Sequence, residues 1–287
     1  MTDQSNQNNE HMIKAGVVGW PIGHSLSPRL HGYWLKKYGL EGDYQPYAIK
    51  PEDLGGFLKT MPENKITGLN LTVPHKEIIF PFLDEVDNTA QKIGAVNMVT
   101  YKKGRLYGTN TDGYGFLTNL KENAQGWSAD VGPAVILGAG GAAKAAIVSL
   151  LDDGIPEIRL INRTKERAEK LALLYDDRRI VVCDWAQRSE ILNDVALVVN
   201  TTTLGMTGQP ALDMDISGLP KTAFVYDIVY NPLETNLLKQ AKEQGNKTVD
   251  GLGMLLYQAV PAFHAWFGKK PTVDKGLREH LLQGMAS

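Results

Sequence analysis

At 287 residues the chain is long enough for two domains or one large one, and a 43% hydrophobic content supplies their cores. Charged residues make up 22% and nearly cancel, to a formal net charge of -2, which points away from nucleic acid and from strongly acidic substrates. The single cysteine, Cys183, excludes an intramolecular disulfide; within the apolar run Ile180-Val181-Val182-Cys183 it reads as a buried structural thiol rather than a nucleophile.

Residues Met1 to Glu10 are polar, rich in Asn and Gln, and lack the basic start and apolar stretch of a signal peptide. A disordered tail over 1–11 ahead of a cytoplasmic enzyme is expected. Ala15-Gly16-Val17-Val18-Gly19 then reads as a strand, with a helix from Pro28 through Tyr38. A strand over Tyr44–Ile49 precedes a helix over Pro51–Thr60, and Gly68-Leu69-Asn70-Leu71-Thr72 precedes a helix after Pro74. This alternation predicts an α/β domain with a mainly parallel sheet. Val96–Tyr101 and Arg105–Gly108, joined at Lys103-Gly104, read as a hairpin closing it.

A second series begins at Ala134-Val135-Ile136-Leu137 and continues with Ile158–Ile161, Ile180–Val182, Leu197–Asn200 and Ala223–Asp227. Helical stretches between them predict a doubly wound, Rossmann-like domain. Helices are expected over Met254–Trp266, kinked or restarted at Pro261, and over Lys275–Met285, both packing back on the first domain. The expected division is therefore 12–112 plus 255–287 against 113–254. The apolar stretch Ala134–Leu151 is broken by Gly138, Gly140, Gly141 and Lys144, so no membrane span is expected.

The glycine run Gly138-Ala139-Gly140-Gly141-Ala142-Ala143 sits between a buried strand and an Ala-rich helix. Gly138 permits the tight turn, Gly140 lets the backbone approach a pyrophosphate, and the helix N-terminus offers free N–H groups to it. Ala143 replaces the last glycine of the usual spacing, but the flanking strand and helix supply the required context. An NAD enzyme would place Asp or Glu at the next strand end. Here Asn162-Arg163-Thr164-Lys165-Glu166-Arg167 brings two arginines suited to the 2′-phosphate of NADP. The competing reading is a solvated helix start capped by Thr164, with Glu166 paired to an arginine.

Three polar clusters follow apolar strands of the first domain. Ser25 and Ser27 offer two hydroxyls suited to a carboxylate, although Ser27 alone reads as a helix N-cap with Pro28 at N1. Asn70 and Thr72 project from one side of an extended segment, and Lys76 begins a helix whose dipole disfavours it. Asn97 and Asp112 lie in Gly94-Ala95-Val96-Asn97 and Asn110-Thr111-Asp112-Gly113; Asp before Gly is also a common turn residue. No His, Cys or Asp cluster has metal-ligand spacing, and no metal is expected.

Taken together these segments resemble the shikimate dehydrogenase family from about Ala15 to Phe267. The shared elements begin or lie at Gly19, Asn70, Gly94, Asn110, Gly138, Asn162, Asp227 and Asp250. The resemblance implies NADP-dependent reduction of 3-dehydroshikimate to shikimate, with Lys76 and Asp112 as acid–base pair. It implies that Ser25, Ser27 and Tyr230 hold the substrate carboxylate, and that Asn70, Thr72, Asn97, Asp112 and Gln258 hold ring hydroxyls. The cofactor would lie on Gly138, Ala139, Gly140, Gly141, Ala142 and Ala143, with Asn162, Arg163, Thr164 and Arg167 around the adenosine phosphate. Thr201, Thr202 and Met206 would line the nicotinamide side, near Gly251 and Gly253.

Members of the family place the site between two domains, which implies hinges near Asp112-Gly113 and Gly251 to Gly253. The implied partner is a small molecule, with a homodimer as the compatible assembly. Two departures from the family pattern are Gly32 after His31 and Thr201-Thr202-Thr203 after Asn200. Other readings are a quinate/shikimate enzyme using NAD or both cofactors, an NADP-binding sensor without catalysis, and a folate-type methylene dehydrogenase, which would leave Ser25 and Ser27 unexplained.

Overall fold

The computed structural model describes residues 12–285, so the tail expected over 1–11 lies outside them. The chain divides into two compact units, 1–111 with 258–287 and 112–257.

In the first unit the strands are β1 (Ile13–Gly19), β2 (Gly42–Ala48), β3 (Ile66–Leu71), β4 (Glu85–Val86), β5 (Met98–Lys102) and β6 (Arg105–Thr109). Its helices are α1 (Ser27–Tyr38), α2 (Leu54–Lys59, entered through a 3-10 turn over Pro51–Asp53), α3 (His75–Ile78) and α4 (Asn88–Ile93). The sheet order is β2-β1-β3-β5-β6-β4. β1 runs parallel to β2 and β3, and β4 to β6, but β3–β5 and β5–β6 are antiparallel. The sheet is thus mixed yet mainly parallel, as expected, with β5 alone among its described strands running against the others. Lys103 and Gly104 both take positive φ, 51° and 78°, the twist that a two-residue hairpin needs, and this reverses the chain between β5 and β6.

The second unit opens with α5 (Asp112–Asn123) and continues as β7 (Ala134–Leu137), α6 (Gly141–Asp152), β8 (Ile158–Ile161), α7 (Lys165–Tyr175), β9 (Ile180–Cys183) and β10 (Leu197–Asn200). It ends with β11 (Phe224–Asp227), α8 (Asn236–Gln244) and β12 (Lys247–Val249). All six strands are parallel in the order β12-β11-β10-β7-β8-β9, the doubly wound arrangement expected. Alternation along β7 shows both faces covered: Ala134 and Ile136 join a cluster with Phe116, Ile147 and Tyr226, while Val135 and Leu137 join Val198, Val225 and Leu238. Cys183 departs from expectation. It lies on the edge strand β9 and is only half-buried, because an edge is covered less fully than the centre of the sheet.

The last helices are α9 (Leu252–Phe267) and α10 (Lys275–Met285). α9 runs through Pro261 without the restart expected there. The apolar residues around that proline, Ala259, Val260, Ala262, Phe263 and Trp266, are buried, and this packing offsets the lost backbone bond. Among the described residues no helix is long and apolar enough to cross a membrane.

Within the first unit Phe263 meets Trp34 edge to face at 5.2 Å, and the Trp266 indole donates to Thr100 Oγ1 at 3.1 Å. Gly68 of β3 is what admits that indole, since a Cβ there would run into its ring nitrogen. Gly68→Ala should therefore cost about 1–3 kcal/mol by overpacking, read as a lower denaturant midpoint at unchanged slope.

Candidate functional site

Strand ends and tight turns bring the polar residues of the first unit together. Ser27 is the first residue of α1 and is buried; the N-cap is Leu26, without a side-chain cap bond. The capping role open to Ser27 is therefore not the one it takes. Its backbone N–H donates to Ser25 Oγ at 3.3 Å. Tyr44 donates to Asn70 Oδ1 at 2.7 Å, and Asn70 Nδ2 donates to the Asn97 carbonyl at 3.1 Å.

Asn97 continues the chain of bonds. Its Oδ1 accepts from the Thr111 N–H at 2.8 Å, and its Nδ2 donates to Gln258 Oε1 at 3.3 Å. Asn110 donates to the Ala95 carbonyl at 2.8 Å, so the two asparagine motifs are knitted to each other just before Asp112. Tyr44, Asn70, Asn97 and Gln258 are thus joined in one run of hydrogen bonds. Tyr44 and Thr111 were not among the residues expected at the site. Their signal is weak in sequence, because a tyrosine in a strand and a threonine in a turn are ordinary.

Thr72, half-buried, follows β3, and its N–H donates to the Val18 carbonyl at 3.0 Å. Lys76 is half-buried in α3, and its carbonyl accepts from the Val96 N–H at 2.8 Å. The helix is a single turn, so the dipole argument made for Lys76 has little force. His75 anchors that turn by donating from Nε2 to the Ile49 carbonyl at 2.8 Å. Asp112 is half-buried at the first position of α5, which makes it a helix-start residue of the second unit.

In the second unit Gly138 takes φ +112° and donates to the Ile161 carbonyl at 2.7 Å. A Cβ there would lie 2.6 Å from Thr201 Oγ1, so glycine is required. Thr201 and Met206 belong to the loop after β10, where Thr201 Oγ1 donates to the Leu137 carbonyl at 2.6 Å. Gly140 caps α6, and Ala139 and Ala142 flank the two exposed glycines, Gly140 and Gly141. A Cβ on either glycine would meet nothing within 4 Å, so open space lies over the uncapped N–H groups of a twelve-residue helix. That cradle fits a pyrophosphate.

Asn162 Nδ2 donates to the Thr164 carbonyl at 2.7 Å and closes the turn into α7. Thr164 occupies the N-cap, but its side chain makes no cap bond. Lys165 is paired with Asp184 at 2.7 Å, while Arg163 and Arg167 are exposed at the strand tip. Two cations with no acid at the end of β8 fit a phosphorylated ribose.

Asp227 organises the other loops of this unit. Its carboxylate, fully buried at the end of β11, accepts from Asn200 Nδ2 at 3.0 Å, Val229 N–H at 3.0 Å and Thr235 Oγ1 at 2.7 Å. Asn200 Oδ1 then accepts from Thr202 Oγ1 at 2.7 Å. One carboxylate thereby ties the threonine loop to the segment carrying Tyr230, whose own phenol is raised by burial. Desolvation pushes Asp227 up to about 6 against the pull of its three donors. Gly251 and Gly253 are dictated by packing: side chains there would collide with the Ile228 carbonyl and with Asn119.

Three family models match the chain: "Shikimate dehydrogenase substrate binding domain" over 17–99, "Shikimate / quinate 5-dehydrogenase" over 121–207, and "Shikimate 5'-dehydrogenase C-terminal domain" over 251–277. A protein of Paramagnetospirillum magneticum named shikimate dehydrogenase (NADP(+)) is 52% identical, over 93% of this chain and 97% of its own length. The structure of shikimate 5-dehydrogenase from Thermus thermophilus in complex with NADP(H) and shikimate is similar at a TM-score of 0.84 and 38% identity, covering 95% of this chain and 99% of that one. Quinate dehydrogenase from Corynebacterium glutamicum in complex with NAD is similar at a TM-score of 0.88 and 32% identity, with 95% and 99% covered.

The Asp227 environment sets a pH dependence. Its folded carboxyl titrates near 6 against an ordinary 3.8, so the folded chain holds the proton more tightly. That contribution to stability is full below about pH 4 and lost as pH rises through 6. Asp227→Asn keeps the acceptor for Asn200 and Val229 and turns a donor to Thr235. The stability difference, wild type minus variant, should fall by at most about 3 kcal/mol between pH 4 and 7 in urea melts.

Proposed function

The chain belongs to the shikimate dehydrogenase family, and on that premise we propose that it catalyses the reversible NADPH-dependent reduction of 3-dehydroshikimate to shikimate in aromatic amino-acid biosynthesis. The observation that supports this reading best is the run of bonds through Tyr44, Asn70, Asn97 and Gln258. It supplies closely spaced amides of the kind a polyhydroxylated ring acid requires. In this reading the unit of 1–111 and 258–287 is the substrate domain and 112–257 the NADP domain, in a cytoplasmic enzyme.

Ser25 and Ser27, with Tyr230, hold the substrate carboxylate; Asn70, Thr72, Asn97, Asp112 and Gln258 hold ring hydroxyls. Bound NADPH supplies the hydride. Lys76 Nζ, as an ammonium, stabilises the negative charge growing on the carbonyl oxygen and delivers a proton to it. Asp112, the other member of the acid–base pair in this reading, orients the neighbouring hydroxyl. In the oxidising direction Lys76 takes the proton back. Gly138 to Ala143 would hold the dinucleotide, Arg163 and Arg167 its 2′-phosphate, and Thr201, Thr202 and Met206 would line the nicotinamide side.

A second reading, quinate oxidation with NAD, draws on the similarity to the Corynebacterium glutamicum quinate dehydrogenase. The cofactor half of it is disfavoured by the strand tip, where Arg163 and Arg167 stand without an acid to bind a free ribose hydroxyl. Steady-state rates with shikimate and quinate, each with NADP+ and NAD+, decide between the two. Replacing Arg163 and Arg167 together by Ala should raise KM for NADP+ about tenfold or more and leave that for NAD+ nearly unchanged. Equal effects on both cofactors would remove the phosphate role. Lys76→Ala should lower kcat by about two to four powers of ten, with near-normal turnover contradicting its assignment.

A further inference from the structure

We propose that Tyr44 is a positioning residue for substrate recognition: its phenol fixes the orientation of the Asn70 amide toward the ring side of the substrate. The proposal rests on the reading of Asn70 as a substrate ligand. Tyr44 lies in β2, where it is paired in register with Ala15 of β1, and its side chain is 5% exposed. The ring is held flat against the buried His31 ring, with centroids 4.0 Å apart and planes 5° from parallel. His31 is kept neutral by its burial, which depresses its pKa to about 3, so it serves as an uncharged platform across the working pH range.

The hydrogen-bond inventory shows why the phenol matters. The Asn97 carbonyl can only accept, so it demands the Nδ2 end of Asn70. Asn70 Oδ1 is then turned to Tyr44, whose single proton it takes at 2.7 Å. Both ends of the Asn70 amide are therefore specified, and so is the direction in which it offers its remaining proton and lone pair to a ligand. Without the phenol, a buried acceptor on Asn70 loses its donor.

Tyr44→Phe keeps the ring and its stacking on His31, and removes only the hydroxyl. The expected result is a rise of about tenfold in KM for shikimate, with KM for NADP+ and the thermal midpoint little changed. A general loss of structure would move all of these together. In a cycle with Asn70→Ala, the double variant should match Asn70→Ala alone, because both remove the same interaction. A KM within about twofold of wild type for Tyr44→Phe, or additive effects in the cycle, would overturn the proposal.

A second measurement is independent of that variant's folding. With 3-fluorotyrosine placed at position 44, the fluorine resonance should shift when shikimate is added and stay put with NADP+ alone; a resonance indifferent to shikimate would refute the coupling. Wild type without shikimate turnover would overturn the functional reading and this proposal with it. Active wild type with an unaffected Tyr44→Phe overturns the proposal alone.

Discussion

The buried side chain of Asn97 is the constraint on which the first unit's site depends. Its oxygen takes the Thr111 N–H and its nitrogen reaches Gln258, while its own carbonyl accepts from Leu71 N–H and Asn70 Nδ2. One residue thereby holds the end of β3, the turn that leads into Asp112, and the helix segment that carries Gln258. A buried amide left half-paired costs about 1–3 kcal/mol, so these partners come as a set. The same partners fix the directions in which the remaining donors and acceptors of these amides point.

The second unit answers the same problem with a charge. Asp227 gathers Asn200, Val229 and Thr235 at the ends of β10 and β11, and the surrounding burial is tolerated because three donors meet the carboxylate. The glycine turn beside β7 works differently. Gly138 is needed for its backbone, and Gly140 and Gly141 for the space they leave open. Anion binding at such a turn needs no charged side chain.

Features set by a few neighbouring residues were legible in the sequence. The strand–glycine–helix run at Val135 to Ala145, the hairpin at Lys103-Gly104 and the arginines after β8 all declare themselves locally. Family resemblance supplied the roles of Lys76 and Asp112, which spacing alone left as candidates. Long-range contacts were not legible: nothing near Asn70 in the sequence shows that its amide oxygen is taken by Tyr44, which lies in another strand. Nor were features that packing overrides, such as the helix running through Pro261 and the incomplete burial of Cys183 on an edge. The two-residue strand β4 is too short to carry any periodicity.

If the Asn97 lattice is formed in the folded chain rather than assembled by the cofactor, most of the substrate's ring contacts are available without NADP. Calorimetric titration of shikimate into cofactor-free protein tests this most directly. Saturable one-to-one binding in the cofactor-free protein is the predicted result. Heats no larger than dilution up to millimolar shikimate, from a preparation that turns over once NADP+ is added, would contradict it.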